Sequence, residues 1–192
     1  MESKDDALRD ACAAWQDGRD GGSSPIRAAA RVLTGTPHYF QADFITKYEL
    51  EAAASEATMS RAAALLDALE SAPHHDPAGW AAATGFESTW VGRGLKSGDQ
   101  DAQIVAALGT GSITMPLWGL SLDRDVALSF GDAFLFELTG PFPAIAAWQA
   151  SSIKDNEREL IAGGRYAVTA VNESATGLVV KLQFVELVLP VG

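Results

Sequence analysis

The chain has 192 residues, a length that suits one domain or one domain with a small additional lobe. Hydrophobic residues make up 47% and charged residues 20%, which excludes a largely disordered chain, a collagen and a coiled coil. The formal net charge is −11, and residues 1–88 and 89–192 are both acidic. A broad basic surface for nucleic acid is therefore not expected.

Residues 1–87 are predicted to form a helical lobe, because the segment is crowded with alanine, the best helix former. Ser24 is predicted to cap a helix that ends at Gly35. A longer helical stretch is predicted over 41–71, where leucines recur on one face. After a break, Asp76 is predicted to cap a short final helix.

From residue 88 onward the pattern favours strands. They are predicted over 89–95, 112–122, 133–138, 144–148, 159–161, 166–171 and 178–189, with short helices over 99–108 and 123–130. The helical part precedes the strands and does not alternate with them, so the predicted fold class is α+β. The expected organisation is a helical lobe at 1–87 and a β core at 88–192.

Signals for secretion, membrane insertion and metal binding are not visible in the sequence. No basic stretch precedes an apolar one at the N-terminus, and no apolar run approaches the roughly 18 residues of a membrane span. His74 and His75 are adjacent and lack the spacing of zinc ligands, so no metal site is expected. The single cysteine, Cys12, excludes a disulfide framework, and we expect it to have a packing role in an alanine-rich helix.

The first candidate motif is an arginine between two glycines, Arg93 in WVGRGL. A guanidinium can grip a phosphate with two parallel hydrogen bonds, and glycines let a ligand approach the backbone closely. Taken alone, Arg93 could equally be a surface arginine in a turn.

The second motif is GLSLD, which runs from Gly119 to Asp123 at the end of a predicted strand. Ser121 could line a pocket, or it could cap the short helix together with Asp123. The neighbouring Trp118, like Trp148, is a candidate to flank a ligand, although a core position is expected for each.

The third motif is the glutamate pair Glu157 and Glu159. Residues at i and i+2 of a strand point to the same face of the sheet. Two carboxylates on one face can take different roles when burial and neighbours separate their ionisation. The pair could also be a solvated strand end, with Arg158 facing the other way.

In order and spacing, the three motifs resemble the mono-ADP-ribosyltransferases of the arginine–serine–glutamate class, which includes cholera-toxin-like and arginine-specific enzymes. The resemblance covers residues 88–189 and is most specific in ERELIAGGRYAVTAV and SLDRDVALSFG. It implies a split β-sandwich core that binds NAD, preceded by the helical lobe. One position departs from the family pattern, because Gly119 stands where the first serine of the second motif belongs. Another side chain or a water could take over from that serine.

The resemblance implies an enzyme that cleaves NAD and transfers ADP-ribose to a protein side chain, with arginine as the expected acceptor. Glu159 would stabilise positive charge on the ribose, and Glu157 would orient and deprotonate the acceptor. Ser121 would support the ribose site as a third catalytic residue. The remaining implied positions are NAD-binding Arg93, Gly94, Gly119 and Ser121, and target-recognition Ser151, Ser152, Lys154 and Asn156.

Three other interpretations stay open at the level of sequence. The chain could be a binding module of the same fold that Gly119 has impaired, a glycohydrolase that only hydrolyses NAD, or an unrelated α+β domain. The expected partners are NAD and a protein target, without a metal, a membrane or a nucleic acid. We expect the protein to act in the cytoplasm, or to be delivered into a target cell as an effector or toxin.

Overall fold

The computed structural model describes residues 3–17, 22–36, 50–52, 54–77, 81–83, 105–129, 134–150, 159–175 and 177–192. Its three longest described helices are α1 (Lys4–Asp17), α2 (Ser23–Thr34) and α3 (Glu56–Glu70), all in the N-terminal part. None of the helices in these ranges is long and apolar enough to cross a membrane.

The ends of the N-terminal helices follow from local capping. Gly35 ends α2 in the left-handed region, with φ of 62°, as the sequence predicts. Ser24 lies inside α2, whose N-cap is Gly22, so the predicted start is two residues late. The Ser55 side chain accepts a hydrogen bond from the Thr58 N–H at 3.3 Å and begins α3. The stretch predicted as one helix over 41–71 therefore contains a new helix start at Ser55.

The strands form one sheet that closes on itself. The described strands are β1 (His74–His75), β2 (Ala81–Ala83), β3 (Ser112–Ser121), β4 (Phe134–Leu138), β5 (Phe142–Ala146), β6 (Glu159–Glu173) and β7 (Leu178–Glu186). Their order in the sheet is β1-β5-β6-β3-β2-β4-β7, and β6 also pairs with β7. The β4–β7 pair is parallel and the other pairs are antiparallel. Two short helices, α4 (Arg124–Ser129) and α5 (Ala147–Ala150), follow β3 and β5.

The structure corrects three of the predicted elements. The helix predicted after Asp76 is wrong, since Ala81–Ala83 pair as a strand with β3 and β4, and this pairing overrides the helix propensity of alanine. The strands predicted over 159–161 and 166–171 are one continuous strand, β6. The strand predicted over 144–148 is β5, which ends at Ala146, and α5 begins at Ala147.

Two strands of the sheet lie before residue 88. Strand β1 pairs with β5, and β2 pairs with β3 and β4, so part of the segment assigned to the helical lobe contributes to the sheet. The proposed boundary at residue 87 stays a prediction. The strand predicted over 89–95 lies outside the described residues.

A β-bulge in β3 decides which side chains of the β3–β6 pair share a face. Met115 lies opposite Gly164 and Trp118 lies opposite Ala162, so β3 spans one more residue than β6 between these pairs. The extra residue reverses which face of the sheet the odd-numbered and even-numbered side chains of β3 point to. Directly opposite residues share a face, so the pair has a helix-facing side and a core-facing side. The helix-facing side is made by Leu117, Gly119, Ser121, Glu159 and Ile161, and the core-facing side by Trp118, Leu120, Leu160, Ala162 and Tyr166.

The two sides bury different hydrophobic clusters. The core-facing side packs inside the curled sheet with the aromatic residues of β4 and β5, Phe134, Phe136 and Phe142. The helix-facing side packs against the three long helices; that cluster includes Ala11, Cys12, Trp15, Ile26, Ala29, Leu65 and Leu69. Helix α1 is thereby held against the strand end at which Glu159 lies.

Candidate active site

Glu159 is the first residue of β6 and lies directly opposite Ser121, the last residue of β3. Both side chains are on the helix-facing side of the pair. Glu159 is half-buried, whereas Ser121 is buried. The sequence predicted both as site residues, and the structure brings them together at one end of the sheet.

The Glu159 carboxylate accepts a hydrogen bond from a residue of α1. The indole Nε1–H of Trp15 donates to Glu159 Oε1 at 2.7 Å, across 144 residues of sequence. Trp15 is only 4% exposed, on the face of α1 that also buries Ala11, Cys12 and Ala14. Spacings of three and four residues place these side chains on one face of the helix. The arrangement orients one oxygen of the carboxylate through a rigid, buried donor.

Trp15 is a site residue that the sequence reasoning missed. Its local pattern is that of an ordinary buried residue on an alanine-rich helix, and nothing nearby in sequence indicates a carboxylate partner. The available signal was indirect: Gly119 removes an expected hydroxyl, which calls for a substitute donor elsewhere in the chain.

Gly119 leaves the space that the Glu159 carboxylate occupies. A Cβ atom on Gly119 would lie 2.8 Å from Glu159 Oε1 and 3.7 Å from Trp15 Cζ2. The first distance is too short for an undisturbed contact, so a larger residue would displace the carboxylate. Glycine at this position is therefore needed for space in the observed arrangement.

Ser121 also organises the turn that follows β3. Its Oγ accepts a hydrogen bond from the Asp123 N–H at 2.9 Å, and Asp123 Oδ1 accepts from the Asp125 N–H at 2.9 Å. These side-chain acceptors satisfy backbone donors at the start of α4. The capping interpretation of Ser121 is thus confirmed, while its role at the ribose stays a prediction.

Cys12 lies one helical turn before Trp15 and is fully buried. Burial, and after it the negative charge of Glu159, raises the pKa of the Cys12 thiol to about 12. The thiol is therefore neutral at pH 7, and a neutral buried thiol is a poor nucleophile. The expected packing position of Cys12 is confirmed.

Trp118 and Trp148 occupy core positions. Trp118 is 2% exposed on the core-facing side, where its Nε1–H donates to the Tyr166 hydroxyl at 3.1 Å. Trp148 is half-buried against the same cluster. The core interpretation is therefore the one that the structure supports for both.

The other predicted site residues lie outside the described residues, and their roles stay predictions. They are Arg93, Gly94, Ser151, Ser152, Lys154, Asn156 and Glu157. Within the part of the chain that is described, no group of three or more histidine, cysteine, aspartate or glutamate side chains is arranged to hold a metal ion.

The described part of the site can stabilise a developing positive charge. Glu159 supplies an acceptor-only carboxylate, and Trp15 holds one of its oxygens. Its partial burial lowers the local dielectric and strengthens its interaction with a nearby cation.

Comparisons with known proteins address the fold. No family model and no curated protein sequence matches the chain. Among solved structures, it is similar to the Vis toxin, an ADP-ribosyltransferase from Vibrio splendidus, with 14% identity, a TM-score of 0.50, and 95% of this chain and 76% of Vis covered.

Two further solved structures agree with this similarity. Vis in complex with agmatine has 13% identity and a TM-score of 0.51, with 95% of this chain and 81% of that chain covered. Plx2a, an ADP-ribosyltransferase toxin from Paenibacillus larvae, has 12% identity and a TM-score of 0.51, with 97% and 87% covered. The predicted α+β class is confirmed, and the chain has the ADP-ribosyltransferase fold.

Proposed function

We propose that this protein is a mono-ADP-ribosyltransferase that cleaves NAD and transfers ADP-ribose to a protein side chain, with arginine as the acceptor. The observation that carries the proposal is the Glu159 carboxylate at the start of β6, opposite Ser121 and oriented by Trp15, within an ADP-ribosyltransferase fold. The ExE sequence that ends at Glu159 adds the second carboxylate, Glu157.

The proposed chemistry starts with the bond between the ribose C1′ and the nicotinamide nitrogen. This bond breaks heterolytically, and its electron pair neutralises the cationic nicotinamide ring, so the leaving group needs no general acid. Positive charge develops on the ribose ring. Glu159 stabilises this charge through a hydrogen bond with the ribose 2′-hydroxyl, as carboxylates do in glycoside hydrolysis.

The second step forms a bond between C1′ and a nitrogen of the acceptor. Glu157 orients the acceptor and takes its proton as the bond forms. A carboxylate pairs with a guanidinium through two parallel hydrogen bonds, which favours arginine. Vis was solved with agmatine, which carries a guanidino group, and this supports the same acceptor class here.

The remaining predicted residues have supporting roles in the proposal. Arg93 and Gly94 bind the diphosphate and ribose of NAD, and Ser121 and Gly119 border the ribose site. The segment with Ser151, Ser152, Lys154 and Asn156 meets the target protein. The proposed setting is the cytoplasm, either of the producing cell or of a cell that receives the protein as an effector or toxin.

The test is nicotinamide release from NAD by the wild type and Glu159→Gln, with and without agmatine. We expect the substitution to lower release by about 10²–10³-fold, the range for a lost electrostatic contact to a transition state. Agmatine should accelerate release by the wild type and yield ADP-ribosylagmatine. Glu157→Gln should abolish that adduct while it retains some NAD hydrolysis.

Other outcomes would redirect the proposal. Release that agmatine does not change, without an adduct, would indicate a glycohydrolase. An absence of release above the Glu159→Gln level would contradict the enzyme proposal and favour a binding module of the same fold.

A further inference from the structure

We infer that Trp15 is a positioning residue for Glu159, and that Trp15 and Gly119 form a coupled pair that sets the carboxylate for catalysis. The inference rests on the proposed function, since it assigns a role in the reaction to a residue that acts through Glu159. Its basis is the contact of both positions with the same carboxylate oxygen, Glu159 Oε1.

The Trp15 hydrogen bond has the features of a strong, specific contact. Its length of 2.7 Å lies at the short end of the range for N–H donors, as expected for a charged acceptor. The indole has a single N–H and no acceptor, so in this hydrogen bond the indole can only donate and the carboxylate can only accept. At 4% exposure, Trp15 is shielded from water that would compete for this bond.

Gly119 is the second member of the pair because it has no side chain and leaves room for the Glu159 carboxylate. With a Cβ at this position, the carboxylate oxygen that Trp15 holds would have to move, because the separation would be 2.8 Å. The group that would move is the flexible end of the Glu159 side chain. The fold should therefore tolerate the new Cβ, but the orientation of the carboxylate should change. Residues 15 and 119 are therefore expected to act on the reaction through one atom.

The consequence is that α1 takes part in the active site. Trp15 lies 144 residues before Glu159, in the helical part that precedes most of the sheet. Loss of its N–H should remove one constraint on the orientation of the carboxylate and make the carboxylate easier to protonate, because the donor favours the charged form. Both effects act on the chemical step more than on NAD binding.

The first experiment measures NAD cleavage by Trp15→Phe, with Trp118→Phe as the matched control. Both changes remove an indole N–H from a buried ring and keep an aromatic side chain, but only Trp15 contacts Glu159. We expect Trp15→Phe to lower kcat at least about tenfold, to leave KM within about threefold, and to move the acid limb of the pH profile to higher pH. The control should keep both the wild-type kcat and the acid limb.

The coupling is tested with Gly119→Ser and the double variant. Gly119→Ser alone should lower kcat, because the new Cβ displaces the carboxylate. Added to Trp15→Phe, it should cost less than it does alone, since the constraint from the indole is gone and the new hydroxyl can donate to Glu159. Additive losses in the double variant would overturn the coupling.

A second readout does not depend on activity. The five tryptophans give few indole N–H resonances in a ¹H–¹⁵N spectrum, and Trp15→Phe identifies the resonance of Trp15. That resonance should titrate with pH in the wild type, and Glu159→Gln should shift it and abolish the titration. The Trp118 resonance should do neither. If Glu159→Gln did not change the chemical shift of the Trp15 indole N–H, the contact between Trp15 and Glu159 would be wrong.

The outcomes separate this inference from the proposed function. If the wild type cleaves NAD and Trp15→Phe matches it in kcat and pH profile, the positioning role is wrong and the proposed function stands. If the wild type does not cleave NAD, the proposed function fails and the catalytic role of Trp15 fails with it, whatever the resonances show.

Discussion

The two faces of the β3–β6 pair each hold a tryptophan hydrogen bond, and the two bonds differ in their acceptors. On the core-facing side, Trp118 donates to the Tyr166 hydroxyl at 3.1 Å, and the two rings lie 5.0 Å apart. On the helix-facing side, Trp15 donates to the Glu159 carboxylate at 2.7 Å. The first acceptor is a phenol hydroxyl that is fully buried, whereas the second is a carboxylate that is half-buried at a strand end.

Under the proposed function, this difference separates a structural hydrogen bond from one that acts on the reaction. In the core, Trp118 and Tyr166 satisfy each other where no water is available, so their bond contributes to folding. At the strand end, a carboxylate could be hydrated without help, so its rigid indole partner contributes orientation. Under the proposed function, the same donor group thus contributes to stability on one face and to chemistry on the other.

The largest expected contrast comes from adding one methyl group to each of two glycines. Gly163→Ala would put a Cβ against the Pro116 carbonyl oxygen, which belongs to backbone that cannot give way, so we expect a loss of about 3 kcal/mol or more. In Gly119→Ala the one short contact is with the movable end of Glu159, so the change should cost less than about 1 kcal/mol, while NAD cleavage falls. Urea unfolding of both variants tests this; equal losses would contradict it.

The loss in the free energy of unfolding should depend on pH for one of the two tryptophan substitutions and not for the other. Trp118→Phe leaves the Tyr166 hydroxyl without this donor and should cost about 2 kcal/mol at pH 4 and at pH 7 alike. Trp15→Phe should cost about 1.5 kcal/mol at pH 7 and less at pH 4, because protonation of Glu159 weakens the bond to the indole even in the wild type. Urea unfolding at both pH values measures the contrast. A pH-independent cost for Trp15→Phe would contradict a charged acceptor.

Alkaline pH should lower the free energy of unfolding, because each face buries an acidic group, the Cys12 thiol on one and the Tyr166 hydroxyl on the other. Burial raises the pKa of the Cys12 thiol from 9.0 to about 12. In the unfolded chain the thiol ionises near pH 9, whereas in the folded chain it stays neutral, so its contribution is full below pH 9 and is lost as the pH rises towards 12. Burial also raises the pKa of Tyr166, with the same sign on the other face.

The measurement is the free energy of unfolding in urea between pH 8 and pH 11. Above pH 9 the free energy of unfolding should fall less steeply in Cys12→Ala than in the wild type, by up to about 1.4 kcal/mol per pH unit. Tyr166→Phe should reduce the fall only at the most alkaline end, since tyrosine ionises later than cysteine. Unchanged slopes in Cys12→Ala would contradict a buried, neutral thiol beside Glu159.

The smallest effect is expected at a surface ion pair on β6. Arg165 Nε lies 2.9 Å from Glu186 Oε1, but both side chains are largely exposed, at 41% and 62%. Water screens such a pair, so Arg165→Ala should change the free energy of unfolding by less than about 0.5 kcal/mol and leave NAD cleavage unchanged. A loss above about 1.5 kcal/mol in a thermal or urea denaturation would show that the pair contributes more than exposed pairs usually do.

The sequence by itself determined the features that depend on neighbours within a few residues. The α+β class, the end of α2 at Gly35 and the start of α4 at Asp123 follow from composition and capping chemistry. The strand pattern located β3 and β7, and the three motifs singled out Ser121 and Glu159. The predictions of fold class, helix ends and strands succeeded because each rests on a short-range preference that the fold did not override, while the roles of Ser121 and Glu159 stay predictions.

Only the tertiary structure decided which side chains meet. The bulge at 116–117 adds one residue without any change in composition, yet it turns Gly119 and Ser121 to the side where Glu159 lies. Gly163 lies in the gap between the two strands predicted over 159–161 and 166–171, and there it lets β6 run close to the Pro116 carbonyl. Trp15 contacts Glu159 because α1 packs on that side of the sheet, and a contact across 144 residues depends on packing that no local pattern records.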